Sequence, residues 1–215
     1  MVKFIHFRNP VSTEIEETLK NIPKCPGVCF FIDIINSTDI KYKTRLWEWG
    51  KKLNNTFNFI SFLNDLPDNV VKGIGDELML YIPDSDLKAK SAYNNYLSLI
   101  EEIYATIDNI KNYPIPDVFL SCKVGIHYCT EVYNITFFEG ANDYYGRDID
   151  LAARLMSKAK ANRIVLSEPF HAKIQNDLLV HDISREDTCL KHLSGKYIED
   201  FKGVPHPTEY RIIDV

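Results

Sequence analysis

The chain has 215 residues, of which 45% are hydrophobic, and a formal net charge of −5. This length suffices for one substantial core and is short for two, so we expect a single domain. The acidic balance argues against nucleic acid as a partner, because such binding needs clustered excess Lys and Arg.

The first half of the chain predicts a strand, a helix and a strand pair. Gly27–Ile34 is a short run of β-branched and aromatic residues, typical of a buried strand. From Ser37 to Leu63 apolar residues recur at three- and four-residue spacing, which indicates one long amphipathic helix. Asn69–Ile74 and Glu77–Pro83 are two further strands, joined by the turn dipeptide Gly75-Asp76.

The second half continues the alternation and sets the fold class. In chain order we predict a helix over 86–112, a strand pair at 119–129 and 131–138, a helix over 146–161, a strand at 163–167, a short helix over 169–176, and strands at 197–202 and 208–214. The order predicts an α+β fold, a ferredoxin-like βαββαβ core with an appended αβ subdomain.

Three separated motifs carry most of the residues that could do chemistry. Phe31–Thr38 reads FIDIINST, Lys72–Met79 reads KGIGDELM, and Asp143–Arg154 reads DYYGRDIDLAAR. With Val124–His127 and Phe201–Pro205 in the same order, the chain resembles the catalytic domain of the class III nucleotide cyclases, the adenylate and guanylate cyclases. The resemblance implies the class III cyclase fold and one catalytic domain over residues 1–215, with its core motifs within 27–167.

Cyclisation sets demands that metal ions can meet. The ribose 3′-hydroxyl attacks the α-phosphorus while pyrophosphate leaves, so the site must lower the hydroxyl pKa and neutralise phosphate charge, as two divalent ions would. The resemblance implies that the carboxylates of Asp33 and Asp76 and the carbonyl of Ile34 hold two Mg²⁺ or Mn²⁺ ions. The alternative is that Asp33 caps the following helix and Asp76 only shapes a turn.

Lys72 and Asp143 match the pair that reads the base in adenylate cyclases. A Lys donor and a carboxylate acceptor complement a ring nitrogen beside an exocyclic amine, which adenine and cytosine both present. The pair therefore favours ATP or CTP over GTP and counts less strongly against UTP. The alternative is a surface lysine and an aspartate at a helix entry.

The resemblance also assigns residues to the phosphates. Arg154 matches the arginine that stabilises the pentavalent phosphate, and Lys202 matches a lysine that contacts the outer phosphates. Most active relatives carry Asn where this chain carries Asp150. We expect Asp150 to pair with Arg154 one helical turn away, and to mark either an adapted site or a loss of activity.

A cyclase with the string Gly146–Arg154 and no sensor module most resembles the pyrimidine cyclases of bacterial Pycsar antiphage systems. That resemblance implies a head-to-tail homodimer that converts CTP to cyclic CMP, or UTP to cyclic UMP, for a separate effector. One alternative is an adenylate cyclase that makes cyclic AMP. Another is an inactive nucleotide-binding pseudocyclase.

Other sequence patterns limit where the protein can be located and which cofactors it can hold. No run of about 18 uncharged apolar residues is present, and the N-terminus is interrupted by charge, so we expect a cytoplasmic protein without a membrane partner. The five cysteines form no Cys-x-x-Cys pair, which favours reduced thiols and argues against a zinc site. We expect the lone His127 to be structural.

Overall fold

The computed structural model describes residues 3–5, 13–63, 67–89, 95–138 and 141–215. Its strands are β1 (Lys3–Phe4), β2 (Gly27–Ile34), β3 (Val70–Ile74), β4 (Glu77–Pro83), β5 (Cys122–Cys129), β6 (Ile135–Thr136), β7 (Arg163–Ser167), β8 (Tyr197–Glu199) and β9 (Thr208–Asp214). Its α-helices are α1 (Thr13–Lys20), α2 (Ser37–Lys43), α3 (Leu46–Leu63), α4 (Asp84–Ala89), α5 (Tyr96–Lys111), α6 (Arg147–Lys158) and α7 (Glu168–His181). Within these ranges no helix combines the length and apolar character needed to cross a bilayer.

Seven strands form the main sheet, in the order β3-β4-β2-β5-β7-β9-β8. β2 pairs antiparallel with both β4 and β5, so the first four strands, with α3 and α5 as crossovers, form the predicted ferredoxin-like core. β7 adds parallel to β5, and β9 and β8 follow antiparallel at the far edge. The predicted α+β class with an appended αβ unit is confirmed.

Side chains of β2 alternate between two cores, as the period of a strand requires. Phe30 and Ile32 face the larger core, which α3, α5 and α7 cover. Cys29 and Phe31 face a smaller core on the other side, where they meet α6. The helix that carries the third motif therefore lies alone against its side of the central strands, among the described elements.

Two glycines set how closely α6 approaches the sheet. A Cβ atom on Gly125 of β5 would lie 2.4 Å from the backbone nitrogen of Met156, and one on Gly146 would lie 2.0 Å from the carbonyl oxygen of Glu131. Any side chain at either position would push the backbones apart. The start of α6 is thereby held beside the end of β5.

The single helix predicted from Ser37 to Leu63 is wrong, because the chain leaves the helical conformation at Thr44. Its φ and ψ are −124° and 161°, and its hydroxyl donates to the carbonyl of Ile40 at 2.7 Å. A new helix then starts where the Glu48 carboxylate accepts from the Arg45 N–H at 2.9 Å, half of a capping box. α2 buries no residue, so the amphipathic pattern belongs to α3 alone.

The predicted pairing of a 131–138 strand with β5 is also wrong. Only β6 forms there, and it pairs parallel with the N-terminal strand β1, so that Ile135 lies opposite Lys3. Tyr133 bridges to Lys24 and Tyr145 instead of to β5.

The remaining differences concern the ends of elements. The predicted helix over 86–112 corresponds to α4 and α5, and residues 90–94 of it lie outside the described part. The helix predicted over 169–176 extends to His181, and the strand predicted over 197–202 ends at Glu199.

Candidate active site

The two predicted metal ligands lie at the same end of neighbouring strands. Asp33 is the penultimate residue of β2 and lies opposite Glu77 of β4. Asp76 lies in the turn that precedes Glu77. Lys123 contacts Asp33, with 3.0 Å between Nζ and Oδ2, and Lys41 contacts Asp76, with 2.6 Å between Nζ and Oδ1. Three carboxylates and two lysines therefore share this end of the sheet.

Asp33, Asp76 and Glu77 form an acidic cluster. Its surroundings stabilise the ionised form of the Asp76 carboxylate and destabilise the ionised form of the Glu77 carboxylate. Partial burial works against the charge of Asp76, but hydrogen bonds with Lys41 and Ser37 outweigh it and lower the pKa of Asp76. Burial, together with the nearby charge of Asp33, raises the pKa of Glu77. The sequence analysis missed Glu77 and both lysines, although Glu77 directly follows the predicted ligand.

The donor set fits hard divalent cations. Two carboxylates and the carbonyl of Ile34, the last residue of β2, offer the oxygen ligands that Mg²⁺ and Mn²⁺ prefer. The side chains of Asp33 and Asp76 are each about a fifth exposed, at 22% and 23%, so solvent and a nucleotide can reach them. Lys41 and Lys123 supply positive charge at the position that a cation would occupy.

Lys72 and Asp143, predicted to act as a pair, are in direct contact. The Lys72 ammonium donates to both carboxylate oxygens of Asp143, at 2.8 and 2.9 Å. Oδ1 of Asp143 also accepts from the Tyr144 N–H at 2.8 Å, and the ring of Tyr145 lies 5.5 Å from the ammonium. Asp143 is only 6% exposed, whereas the Lys72 side chain is 38% exposed, so the pair joins a buried carboxylate to an ammonium that solvent can reach.

Asp150 and Arg154 line a cleft of about 220 Å³ between the first turns of α6 and residues 203–205. The guanidinium of Arg154 lies 3.7 Å from the position that a Cβ of Gly203 would take. Lys202 is exposed on the same turn, immediately before the residues that line the cleft.

The predicted salt bridge between Asp150 and Arg154 is absent from the ion pairs of the described residues, so that prediction is wrong. The half-buried guanidinium extends toward the turn at Gly203, whereas the Asp150 carboxylate stays exposed. Both side chains therefore keep their charges available to a ligand in the cleft.

Asp76 and Arg154 lie toward different edges of the sheet. Asp76 joins β3 and β4 at one edge. Arg154 approaches Gly203, whose neighbours Phe201 and Val204 pack with residues of β7 and β9. α6, which carries Arg154, packs mainly on β5 and β2 and also contacts β7. The cleft that Arg154 lines includes neither Asp33 nor Asp76.

The fold and this set of residues define a nucleotide cyclase, and comparison with known families agrees. The family model of the adenylate and guanylate cyclase catalytic domain matches residues 23–199. The chain belongs to that family, and it is a nucleotide cyclase. The resemblance drawn from the five motifs is confirmed. A comparison with curated proteins gives no match.

Solved structures share the fold at low sequence identity. The guanylyl cyclase Cya2 matches with a TM-score of 0.71 and 15% identity, over 89% of this chain and 93% of that chain. The adenylyl cyclase CyaB from P. aeruginosa matches with a TM-score of 0.64 and 20% identity, over 91% and 97%. The guanylate cyclase domain of RhGC from Catenaria anguillulae, in complex with GTP, matches with a TM-score of 0.63 and 16% identity, over 89% and 97%.

Proposed function

We propose that this cyclase acts on a nucleoside triphosphate whose base carries an exocyclic amine, with CTP favoured and cyclic CMP and pyrophosphate as products. The contact between Lys72 and Asp143 carries the proposal. It holds an ammonium donor beside a nearly buried carboxylate acceptor. Cytosine and adenine offer a ring nitrogen that accepts from Lys72 and an amine that donates to Asp143.

The other bases fit this pair less well. Guanine and uracil present a carbonyl where cytosine and adenine present the amine, and an N–H where they present the ring acceptor. The carbonyl would face the carboxylate of Asp143, which is repulsive. A bound water could relay the contact for uracil, so UTP is disfavoured less strongly than GTP.

The metal ions belong at the acidic cluster in this proposal. Cyclases of this family use divalent metal ions, which lower the pKa of the attacking hydroxyl and neutralise phosphate charge. We assign Asp33, Asp76 and the Ile34 carbonyl to hold Mg²⁺ or Mn²⁺. The lowered pKa of Asp76 keeps that carboxylate ionised, as a metal ligand must be.

The cleft beside α6 supplies the remaining groups. Arg154 donates to the α-phosphate, where negative charge accumulates as the hydroxyl attacks. Lys202, exposed at the rim of the cleft, meets the outer phosphates. Asp150, exposed and without an ion pair to Arg154, accepts from a ribose hydroxyl and orients the sugar.

A head-to-tail homodimer joins the two regions. The lining of the α6 cleft, which includes neither Asp33 nor Asp76, supports it, because a second copy can bring its α6 cleft to the first copy's acidic cluster. Each shared site then has Asp33 and Asp76 from one protomer and Lys72, Asp143, Asp150, Arg154 and Lys202 from its partner.

ATP is the second candidate substrate, and the same observation favours it. Adenine presents the same acceptor and amine as cytosine, so Lys72 and Asp143 alone do not separate them. We place CTP first because the string Gly146–Arg154 resembles that of pyrimidine cyclases.

The substrate is tested by incubating the purified protein with equal concentrations of CTP, UTP, ATP and GTP and with Mn²⁺. Cyclic products are identified by mass spectrometry. We expect cyclic CMP to predominate. Predominant cyclic AMP would establish the second candidate, whereas cyclic UMP or cyclic GMP as the main product would refute the amine argument.

The role of the pair is tested by Lys72→Met, with Lys51→Met on the exposed face of α3 as the control. Loss of the lysine removes the donor to the ring nitrogen of the bound base and leaves that acceptor unpaired, a cost of about 1–3 kcal/mol. We therefore expect kcat/KM for CTP to fall by roughly 10- to 100-fold in Lys72→Met and less than about twofold in Lys51→Met. Equal effects of the two substitutions would contradict the proposed role.

An antiphage role is a finer proposal, and it rests on the resemblance to Pycsar cyclases. In that role the enzyme makes its product after infection, and a separate effector binds the product. The measurement is the concentration of cyclic CMP in expressing cells before and after phage infection. A constant concentration would exclude the role while leaving the enzymatic proposal intact.

A further inference from the structure

A second cluster of ligating side chains lies on the α6 side of the sheet, away from Asp33 and Asp76. His127 and Cys129 project from alternate positions of β5, and Asp148 comes from the first turn of α6. Their ligand atoms all lie within 4.8 Å of one another. Among the described residues, no other group of three or more His, Cys, Asp or Glu side chains has its ligand atoms this close together.

The imidazole of His127 is buried without a full set of partners. It is 4% exposed, and within the described part of the chain its Nδ1 has no hydrogen-bond partner. Nε2 lies 3.8 Å from Oδ1 of Asp148, beyond hydrogen-bond distance. Nδ1 is thus the unpaired nitrogen, whereas Nε2 faces the Asp148 carboxylate across a gap that an ion can bridge.

The carboxylate of Asp148 is already oriented as a ligand. Oδ2 accepts from the backbone N–H groups of Thr130 and Glu131, at 2.6 and 2.8 Å, which leaves Oδ1 directed at His127. Partial burial opposes its ionisation, but His127 and the two N–H groups lower the pKa of Asp148 well below its usual range. Hydrogen bonds of this kind to the second oxygen are typical of ligands in metal sites.

The thiol of Cys129 lies beside His127, because it donates to the carbonyl oxygen of His127 at 3.6 Å. Cys29 lies directly opposite His127 in the pairing of β2 with β5 and is buried on the same side of the sheet as Cys129. Residues opposite one another on antiparallel strands have Cβ atoms about 4.5–5.5 Å apart. Cys29, Cys129 and His127 therefore point into the same small space beneath α6.

We propose that His127, Cys129 and Asp148 bind one Zn²⁺ ion through one imidazole nitrogen, one thiolate and one carboxylate oxygen. Imidazole, thiolate and carboxylate together are the donor set that Zn²⁺ takes in proteins, whereas Mg²⁺ prefers oxygen alone. Ligand atoms around one Zn²⁺ lie roughly 3.3–3.8 Å apart, so the cluster must close by about 1 Å. The thiol of Cys129 releases its proton to solvent as the ion binds.

The ion would join the end of β5 to the start of α6. Asp148 is two residues before Asp150 and six before Arg154, so the ion fixes the helix end that lines the cleft. The cysteine spacing gave no sign of the site, because its ligands come from a strand and a helix and become neighbours only after folding.

The test uses full-length protein stripped with a chelator and supplied with Zn²⁺ or Co²⁺ in excess Mg²⁺, which occupies sites of oxygen ligands. We expect one Zn²⁺ per chain to survive dialysis, and the melting temperature to rise by about 5–10 °C. The Co²⁺ form should show a thiolate-to-metal charge-transfer band, which ligation by carboxylates alone cannot give.

Matched variants identify the ligands. Cys129→Ala and Cys122→Ala each remove one fully buried thiol from β5, and Cys122 is not in the cluster. We expect Cys129→Ala to lose the band and bind roughly 100-fold more weakly, while Cys122→Ala binds as the wild type does. Asp148→Asn keeps an acceptor for the two N–H groups and should also bind weakly, whereas Cys29→Ala should keep the band because Cys29 is outside the three-residue group.

Two results would overturn the proposal. One is stripped wild-type protein that retains no Zn²⁺ after dialysis and shows no charge-transfer band with Co²⁺. The other is equal Zn²⁺ affinity in the Cys129→Ala and Cys122→Ala proteins. Either result leaves the assignment of the cyclase site untouched, since neither measurement depends on turnover.

Discussion

Asp150 lies in the α6 cleft, at the position where the family resemblance predicts Asn. In the structure its carboxylate is exposed at the cleft, and Arg154 points away from it toward Gly203. The carboxylate therefore does not neutralise the arginine that the phosphate needs. This arrangement favours an adapted site over a damaged one.

Asp150→Asn tests that interpretation, with Asp187→Asn at an exposed position elsewhere as the control. An amide accepts more weakly than a carboxylate from a ribose hydroxyl, a difference of about 1–2 kcal/mol. We expect kcat/KM for the preferred nucleotide to fall roughly 5- to 30-fold, or the order of substrate preference to change. A rise in activity would show that Asp150 impairs catalysis and that the site works better with Asn at this position.

The packing of helix α6 on strand β5 fixes the position of Arg154 relative to the sheet. Gly125→Ala would place a Cβ atom 2.4 Å from the Met156 nitrogen, so the helix must shift. We expect the free energy of unfolding to fall by about 3 kcal/mol and turnover to fall with it. Denaturant unfolding at constant pH measures the change.

Gly50→Ala is the matched control, since Gly50 lies within α3 and a Cβ there would meet nothing within 4 Å. Alanine should raise the free energy of unfolding by about 0.5–1 kcal/mol, because it favours the helix. Similar destabilisation by both substitutions would contradict the close approach of α6 to β5.

Elements with a single strong pattern could be predicted from the sequence. β2, β4 and β7 have the predicted bounds because each is an apolar run that ends at a turn residue or a polar residue. Residues 131–138 also contain residues that favour β-strands, but the strand that forms there pairs with β1, which is far away in the sequence. No local sequence pattern determines which strand becomes the partner.

The candidate site, like the fold, could be predicted from the sequence only in part. The strand and turn patterns predicted the places of Asp33 and Asp76 in the fold, since Asp33 is next to the end of β2 and Asp76 lies in the turn between β3 and β4. They did not predict the pairing of Asp33 with Lys123, because that contact depends on the register between β2 and β5.

At the scale of the whole molecule, the proposed function requires two separate regions of the chain to meet in one site. The acidic cluster is at the β3–β4 edge, and the α6 cleft faces the turn that packs on β7 and β9. A head-to-tail pair with two-fold symmetry would complete both sites at once.

The most direct test of the shared site is complementation between two inactive proteins. Asp33→Ala removes a metal ligand and Arg154→Ala removes the phosphate contact, so each homodimer should have two defective sites. In a mixed dimer both lesions fall in one site, and the other site is intact. After random subunit exchange about half of the dimers are mixed, which predicts roughly a quarter of wild-type activity.

Subunit exchange is followed independently with two fluorescent labels, so that a failure to mix is recognised. We expect cyclic nucleotide formation to rise from near zero to about a quarter of the wild-type rate as exchange proceeds. Complete exchange without recovered activity would contradict the shared site.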